Sequence, residues 1–152
     1  MQNVVELETI YAGIPGGPEL LAWFGCVPSF HDAEIVSLTL NRRAPSILRI
    51  HGLVMGKDSD GLITSSKRAV VTFTLDGVMD VELNGFSRQN VIDCLRLVHA
   101  PARADRQAYY TLDASPEDYE IQLEPCYGMD GVIRCKKVSV SFTPGKPQDA
   151  DE

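Results

Sequence analysis

The sequence predicts an α+β fold: a mainly antiparallel, curved sheet of about seven or eight short strands, one principal helix and one short N-terminal helix. Two observations carry this prediction. Several segments alternate apolar and polar residues, as half-buried strands do, and each is bounded by glycine, proline or small polar residues. One segment, residues 87–99, instead repeats its apolar residues at the spacing of a helix face.

The composition indicates one domain that folds in water. The chain has 152 residues, of which 44% are hydrophobic and 23% charged, values typical of a globular protein with a single core. We expect residues 1–143 to form that domain and residues 144–152 to be a flexible acidic tail, because the tail lacks packing residues. No apolar run reaches the roughly 18 residues of a membrane-spanning helix, and residues 1–6 lack a basic leader. A cytoplasmic location without membrane contact is therefore expected.

The short N-terminal helix is predicted at residues 18–24. Pro18 suits the first position of a helix, Gly25 can end it in the left-handed conformation, and Pro28 prevents it from resuming. Residues 1–17 hold a short mixed segment and a glycine-rich loop, and the pattern favours neither helix nor strand there.

A β-hairpin is predicted directly after the Pro28 turn. Residues 34–41 and 47–55 both alternate apolar and polar side chains, and a proline-containing turn joins them. Residues 56–66 are polar and glycine-rich, which predicts a mobile loop.

Residues 69–75 and 79–83 are predicted to be two paired strands. A two-residue Asp-Gly turn between them would set an apolar face against an acid, whereas a connection of odd length pairs Phe73 with Val81. We therefore expect a three-residue loop or a β-bulge at residues 76–78.

The principal helix is predicted at residues 87–99. Ser87 is a suitable N-cap, Pro101 ends the helix, and four apolar residues recur at helical spacing: Val91, Cys94, Leu95 and Val98.

Three more strands are predicted after this helix, at residues 107–112, 119–125 and 132–142. The second of them shows the cleanest alternation in the chain. In the third, the apolar residues change from odd to even positions near Lys136-Lys137, which indicates a β-bulge.

Charge and cysteine spacing narrow the function classes. A net charge of −7 opposes binding to phosphate backbones, so no nucleic-acid partner is expected, and it favours basic partners instead. The four cysteines show neither the spacing of a zinc site nor a disulfide framework. We expect buried free thiols, no metal and no cofactor.

The segment from Phe24 to Ile35 contains the densest group of polar side chains at a turn. His31, Asp32 and Glu34 could together bind a metal or transfer protons. A structural role is the stronger interpretation: Asp32 and Ser29 would bond backbone N–H groups, while His31 and Phe30 would tie the turn to the sheet. No residue is assigned a catalytic role, and the chain is not expected to be an enzyme.

Three further possibilities stay open at this point. An acidic docking face could run along one strand, although a solvated face neutralised by Lys136 and Lys137 is favoured; its residues would be Glu117, Asp118, Glu120 and Glu124. A small-ligand module would show a pocket lined by aromatic residues, with Tyr109, Tyr110, Trp23 and Phe73 as candidates. A metal-dependent enzyme would bring His31 and Glu34 together with a third ligand.

Two motifs resemble immunity protein family 50 of bacterial polymorphic-toxin systems. They are Pro28-Ser29-Phe30-His31-Asp32-Ala33-Glu34 and the pattern that runs from Val71 through Asp80, Gly85-Phe86 and Asn90 to Ile92. The resemblance implies a small cytoplasmic protein that neutralises a cognate toxin by direct binding and catalyses no reaction. It makes His31, Asp32 and Glu34 candidate binding residues, and a basic toxin would suit the acidic chain.

Overall fold

The secondary structure consists of two helices and six strands within residues 4–57 and 63–147, which the computed structural model describes. The helices are α1 (Val4–Ala12) and α2 (Gly17–Phe24). The strands are β1 (Glu34–Thr39), β2 (Ser46–Lys57), β3 (Ile63–Asn84), β4 (Val91–His99), β5 (Tyr119–Tyr127) and β6 (Asp130–Pro144). The predicted α+β class with a curved antiparallel sheet is confirmed, although the sheet has fewer strands than expected.

All six strands belong to one antiparallel sheet that closes on itself as a barrel. The order around the barrel is β1-β2-β3-β6-β5-β4, and β4 returns to β1, where Glu34 pairs with Val91. Every strand therefore has a neighbour on both sides, which removes the open edges through which sheets pair with other chains.

The core lies inside this barrel and extends beneath the two helices. Each strand contributes buried apolar side chains, among them Ile35, Leu48, Phe73, Ile92, Ile121 and Ile133. Helix α1 contacts β4 and helix α2 contacts β6, and Tyr11, Leu20 and Phe24 join the same core. Within the described part of the chain, neither helix has the length and apolar content needed to cross a bilayer.

Helix α2 forms where the sequence predicts it. Pro18 occupies the first turn, and Gly25 ends the helix at φ 77° with its N–H donating to the carbonyl of Leu21 at 2.8 Å. At the other end, a Cβ on Gly16 would lie 1.6 Å from the carbonyl oxygen of Val140. The helix therefore begins in direct backbone contact with β6, which only glycine permits.

The principal helix predicted at residues 87–99 is wrong, because Val91–His99 is strand β4. The register against β5 shifts on both sides of Ile92, so that Asp93 is an extra residue in a β-bulge. The bulge separates the inward-facing Ile92 and Leu95 by three positions instead of two. This spacing matches a helix face by coincidence, and it explains the error.

The two strands predicted at residues 69–75 and 79–83 are one continuous strand, β3. Phe73 pairs with Leu48 and Val140 instead of Val81. A β-bulge is present, but at Met79 and not at the predicted residues 76–78, since the register against β6 shifts between Val78 and Asp80. It lies within one strand and does not connect two paired strands. The chain does not turn back at Asp76-Gly77, because β3 stays paired with β6 on both sides of Gly77. Gly77 has φ 67°, a conformation that glycine adopts without strain.

Two predictions near the C-terminal half need correction. The register between β6 and β3 is regular through Lys136 and Lys137, so the bulged residue belongs to β3 and not to β6. Residues 107–112 do not form a strand, since Gln107–Tyr109 is a short 3₁₀ helix and the segment that follows is irregular.

The polar loop predicted at residues 56–66 is shorter than expected. Strand β2 continues to Lys57 and strand β3 begins at Ile63, and residues 58–62 lie outside the described residues. Of the predicted tail, residues 148–152 also lie outside them, so that the division into a domain and a tail stays a prediction.

Residues 100–118 cross the outer face of β3, β6 and β5, and ion pairs hold this segment in place. Arg103 binds Glu120 of β5 with two hydrogen bonds of 2.6 and 3.0 Å. Arg106 binds Asp80 of β3 in the same bidentate way, at 2.6 and 2.9 Å. A segment with few apolar anchors is thus attached by charge.

Asp118 completes this attachment. Its carboxylate accepts hydrogen bonds from Arg134 at 2.9 Å and from Lys136 at 2.7 Å, both on β6. Arg134 also donates to the carbonyls of Pro101 at 2.8 Å and Ser115 at 3.2 Å. We call the eight charged residues joined in this way the ionic layer: Asp80, Glu82, Arg103, Arg106, Asp118, Glu120, Arg134 and Lys136.

We expect Asp118→Ala to lower the free energy of unfolding by about 3–5 kcal/mol, because it leaves the buried guanidinium of Arg134 without its carboxylate. Burial raises the pKa of Asp118, but hydrogen bonds from Lys136, the Ser115 N–H and Arg134 outweigh burial and lower the pKa below 3.8. The stabilisation is therefore present above pH 3.8 and is lost as the pH falls through the native pKa.

Denaturant unfolding at neutral and acidic pH measures this effect. Asp113→Ala is the matched control, since Asp113 lies in the same segment with an exposed side chain and should change stability by less than about 0.5 kcal/mol. Equal stabilities of the two variants would contradict the role assigned to the ionic layer.

Candidate functional site

The turn between α2 and β1, residues 28–34, is the candidate site, and we call it the corner. Its backbone is strained at two positions: Phe30 has φ 60° and Asp32 has φ 62°. These are the positive values of φ found outside glycine in the described residues. A left-handed residue other than glycine costs about 1–2 kcal/mol, so the surrounding structure must hold it.

Strand β4 supplies most of the bonds that hold the corner. The N–H of Asp32 donates to the carbonyl of Ile92 at 3.0 Å, and the N–H of Ile92 donates to the carbonyl of Ala33 at 3.0 Å. The N–H of Leu95 donates to the carbonyl of Ser29 at 2.9 Å. The corner is therefore an irregular continuation of the contact between β1 and β4.

The ring of Phe30 anchors the corner in the core. It is buried and lies edge-on to Phe24 and Phe73, with centroid separations of 6.4 and 6.0 Å. It also lies against the backbone of Gly52, where a Cβ would come within 2.8 Å of the ring. The structural role predicted for Phe30 is confirmed.

His31 points away from the core and contacts two acids. Its Nδ1 lies 3.1 Å from both the carbonyl oxygen and a carboxylate oxygen of Asp93, and its Nε2 lies 3.5 Å from the carboxylate of Asp32. The hydrogen bond to the Asp93 carbonyl, and then the charge of Asp32, raise the pKa of His31. The backbone N–H of His31 donates to Ser29 Oγ at 3.3 Å, as predicted for that serine. The side chain of Asp32, by contrast, contacts His31 and accepts no backbone N–H from the residues that the structure describes.

Glu34 does not join His31 and Asp32. It begins β1 opposite His51 of β2. Burial, and then the charge of Arg68, lower the pKa of His51, and the charge of Glu34 only partly opposes them. Among the described residues, His31 and Glu34 belong to no group of three metal-ligating side chains. The convergence that a metal-dependent enzyme would need is therefore not seen in this part of the chain.

The bulge in β4 brings together three residues that the sequence analysis did not group, namely Asp93, Cys94 and Glu124. Because Asp93 is the extra residue, Asp93 and Cys94 both lie opposite Glu124, and one ligand atom of each lies within 4.8 Å of the others. Cys94 Sγ donates to Glu124 at 3.4 Å, and Arg96 forms an ion pair with the same carboxylate. The loss of strand alternation at residues 91–95 was the signal for this bulge, but it also fits a helix.

The cysteines are free, and their environments differ. Burial, followed by the hydrogen bond to Glu124, raises the pKa of Cys94 to about 11, and burial raises that of Cys135 to about 12. Both thiols are therefore protonated and weakly nucleophilic at neutral pH. The prediction of burial is right for Cys135 and wrong for Cys26 and Cys126, which are exposed.

The acidic residues of β5 and the preceding turn do not form an open docking face. Asp118 and Glu120 are buried in the ionic layer, and Glu124 is paired with Arg96. Glu117 is exposed. The favoured interpretation was that Lys136 and Lys137 neutralise these acids. Lys136 does so, because it binds Asp118.

The aromatic residues proposed to line a ligand pocket lie in different places. Phe73 is buried in the barrel core, and Trp23 packs against Phe24 and Phe142. Tyr109 is 64% exposed. Tyr110 lines a cavity together with polar side chains of residues 100–118.

Two loops extend the exposed surface of the corner. Tyr127 at the end of β5 pairs with Val91, next to the corner. Residues 85–90 pack on the turn between β5 and β6, where a Cβ on Gly85 would lie 2.7 Å from the carbonyl oxygen of Gly128. Asn90 fixes this contact, since its Oδ1 accepts the N–H of Met129 at 3.0 Å.

We define the corner face as six exposed residues from the corner, residues 85–90, the bulge in β4 and the end of β5: His31, Asp32, Phe86, Asp93, Cys126 and Tyr127. Partial desolvation, and then the negative charges of Asp93 and Asp32, raise the pKa of Cys126, which shows that the acids lie close to that end of β5. The face thus combines acidic groups with exposed aromatic rings.

Comparison of the chain with protein-family models, with curated proteins and with solved structures finds no significant match.

We expect His31 of the corner and His51 of β2 to contribute to stability with opposite pH dependence. In the native state the pKa of His31 lies above 6.5, so the stabilisation from protonated His31 is complete below pH 6.5 and is lost as the pH rises through the native pKa. The pKa of His51 lies below 6.5, so its contribution is present above pH 6.5 and is lost as the pH falls.

An NMR titration of both imidazoles measures these values directly. Asp32→Asn should lower the pKa of His31 by removing a nearby charge and leave that of His51 unchanged. A native pKa of His31 at or below 6.5 would show that the contact with Asp93 does not persist in solution.

Proposed function

We propose that this chain is a non-catalytic, cytoplasmic binding protein, and that it acts as a bacterial immunity protein by binding a basic cognate toxin through the corner face. The class of partner, a toxin, is taken from the resemblance of the Pro28–Glu34 motif to immunity protein family 50. The surface is argued from the exposed aromatic rings and acids around that motif.

Phe86 is the observation that carries the proposal. Its side chain is 73% exposed, the largest exposed fraction among the large hydrophobic side chains in the described residues. It borders a hollow of about 510 Å³ whose other apolar residues are Leu38, Leu83 and Met129. Tyr127 adds a second ring that is 51% exposed. Exposed aromatic residues beside an apolar hollow are typical of the centre of a protein interface.

Electrostatics favours a basic partner for this surface. The chain has a net charge of −7, and the exposed Asp32 and Asp93 of the corner face both contact His31. The exposed Arg88 lies two residues from Phe86. Such a field accelerates association with a cationic surface and disfavours nucleic acid and anionic membranes.

The corner chemistry supports binding over catalysis. His31 is solvent-exposed and bonded to a backbone carbonyl, and Cys94 is held as a protonated thiol beside an occupied carboxylate. A nucleophilic mechanism needs a base hydrogen-bonded to an activated nucleophile. Neither group meets that requirement in this geometry.

We expect Phe86→Ala to weaken binding to a cognate toxin, to be sought among the products of neighbouring genes, by about 30-fold or more, as truncation of a central aromatic residue costs about 2 kcal/mol. Asp93→Asn should slow association several-fold and reduce its salt dependence. Surface plasmon resonance at two ionic strengths measures both effects, and growth of cells that co-express the toxin measures protection.

Leu112→Ala is the matched control, because Leu112 is 43% exposed on the segment of residues 100–118, outside the corner face. It should leave affinity and protection unchanged. A neighbouring gene product that neither binds the chain nor is neutralised by it would refute the function, whereas binding unaffected by Phe86→Ala would refute the surface alone.

Asp32→Gly separates binding from stability at the corner itself. Glycine relieves the left-handed strain at φ 62°, so this variant should be as stable as the native protein or more stable by about 1 kcal/mol. It removes an acid of the corner face and should weaken toxin binding. Thermal unfolding that shows a large loss of stability would indicate a structural role for the carboxylate.

A further inference from the structure

The seam that closes the barrel between β1 and β4 is short. The two strands share one register pair, Glu34 with Val91, and the N–H of Ile35 adds a bond to the carbonyl of Asn90 at 2.9 Å. Beyond this point, residues 36–39 of β1 have no register partner on the seam side among the described residues. The larger part of β1 therefore presents an edge that β4 does not cover.

Asn90 is the reason that the seam stops. Its side chain accepts the N–H of Ser87 at 2.9 Å, donates to the carbonyl of Ser87 at 2.8 Å and accepts the N–H of Met129 at 3.0 Å. These bonds curl residues 87–90 into a turn, so that the chain before β4 does not continue as a strand beside β1. Asn90 is buried, which fixes this divergence of the two chains.

The uncovered edge offers backbone donors and acceptors. Residues 37–39 are in register with residues 47–49 of β2. In an antiparallel pair, alternate residues exchange hydrogen bonds with the same neighbour, and the residues between them direct their N–H and C=O groups to the other side. Either Leu38, or both Ser37 and Thr39, therefore present these groups to the seam side. An edge of this kind is a template for a strand from another chain.

The edge borders the hollow of about 510 Å³ beside Phe86. Leu38 and Leu83 line this hollow and pack against the barrel core, and the third apolar lining residue, Met129, is only 2% exposed. A strand added to β1 would place every second side chain on the same face as Leu38. The edge thus combines backbone bonding with a pocket for an apolar side chain, and strand addition uses both.

Charge differs between the two ends of the edge. Asp32 and Asp93 are exposed at the corner end, whereas Arg42 and Arg43 are exposed just beyond the other end. A segment that runs antiparallel to β1, as β4 does, would have its N-terminal half near the arginines and its C-terminal half near the acids. The complementary occupant therefore carries an acidic residue before its apolar residue and a basic residue after it.

The recess favours a single extended segment over a second copy of this chain. Residues 84–86 border the hollow together with Leu38, so the edge of β1 does not protrude. Two copies that paired through β1 would each bring these residues, with the exposed ring of Phe86, against the other. A segment without such a loop beside it meets no similar obstacle.

We propose that an extended segment of the cognate toxin adds as a strand to residues 36–39 of β1, antiparallel to it, and inserts an apolar side chain into the hollow beside Phe86. This inference rests on the proposed function and names the part of the partner that the surface recognises. Backbone bonds provide affinity, while the hollow and the charges at the two ends of the edge provide selectivity.

Selection of random dodecapeptides displayed on phage against the full chain tests the proposal without the toxin. We expect the enriched peptides to alternate apolar and polar residues, with an acid on the N-terminal side of a central apolar residue and a base on its C-terminal side. Isothermal titration calorimetry measures the affinity of a synthetic copy of the most enriched peptide. Failure to enrich any peptide, or a consensus with helical spacing, overturns the proposal.

N-methylation of the synthetic peptide is the decisive step, because it removes one backbone donor and keeps the side chain. Methyl groups on the alternate amides that face β1 should weaken binding by about tenfold or more, whereas methyl groups on the intervening amides should leave it unchanged. The two sets are matched controls for each other within one peptide. Equal effects at all positions overturn strand addition.

Hydrogen exchange measured by NMR gives a second readout on the chain itself. The bound peptide should slow exchange of at least one backbone amide within residues 36–39, because an added strand accepts a bond from it. Protection confined to other residues overturns the proposal.

Arg42→Glu and Lys137→Glu form a matched pair, since each reverses one exposed cation and Lys137 lies on β6, which is not a neighbour of β1. Arg42→Glu should weaken peptide binding about fivefold, and a peptide whose acid is replaced by lysine should regain affinity for this variant. Lys137→Glu should bind as the native protein does. Equal binding by the two variants overturns the antiparallel orientation that we propose.

The toxin, once identified, separates this inference from the proposed function. A toxin whose binding depends on Phe86 but does not slow exchange within residues 36–39 overturns strand addition and leaves the proposed function intact. Absence of any toxin that binds the chain overturns the proposed function itself. Sedimentation equilibrium covers the remaining occupant: self-association of the free chain that protects the same amides would assign the edge to a second copy and overturn the proposal.

Discussion

The closure between β1 and β4 is the contact on which the rest of the structure depends. Only Glu34 and Val91 pair in register across it, and backbone bonds from the corner complete the seam. The N–H of Ile35 donates to the carbonyl of Asn90 at 2.9 Å, and the N–H of Asp32 donates to that of Ile92 at 3.0 Å. Without these bonds, β1 and β4 would become two open edges. The strained φ angles of the corner are thus a consequence of closing the sheet with a short, irregular seam.

The same seam explains why the exposed polar groups collect at one end of the barrel. The bulge at Asp93 and the left-handed residues of the corner face each other across it. Both are irregularities that turn side chains outward at a place where regular strands would bury half of them. His31 and Asp93 therefore meet because neither strand can stay regular where the barrel closes.

How far the sequence predicts this fold depends on where strand alternation survives. Residues 34–41, 47–55 and 119–125 alternate in sequence, and each corresponds to a strand of the structure, although β1 ends at Thr39. The strand at residues 91–99 was mistaken for a helix because one bulged residue changes the apolar spacing from two to three. The irregular segment of residues 100–118 was beyond prediction, since its contacts are ion pairs between residues distant in sequence.

The candidate site was predictable only where it depends on local sequence and not on long-range strand pairing. The Pro28 turn, the anchoring of Phe30 and the exposure of His31 follow from local residue types. The separation of Glu34 from His31 does not, because it depends on which strand pairs with β1 on each side. Asp93 and Phe86 enter the corner face only through the bulge and through the packing of residues 85–90 on the turn after β5.

The ionic layer affects how charge is distributed over the surface of the molecule. It joins four carboxylates to three arginines and a lysine, so it is close to neutral as a unit. Paired in this way, its acids contribute little to the field at long range, because opposite charges a few ångströms apart cancel at distances beyond the Debye length of about 8 Å. The net charge of −7 consequently belongs to the rest of the chain, which includes the exposed acids of the corner face. Exposed acids also lie on residues 100–118, namely Asp105, Asp113 and Glu117, so the corner face is one of the acidic regions that a partner approaching through solvent would meet.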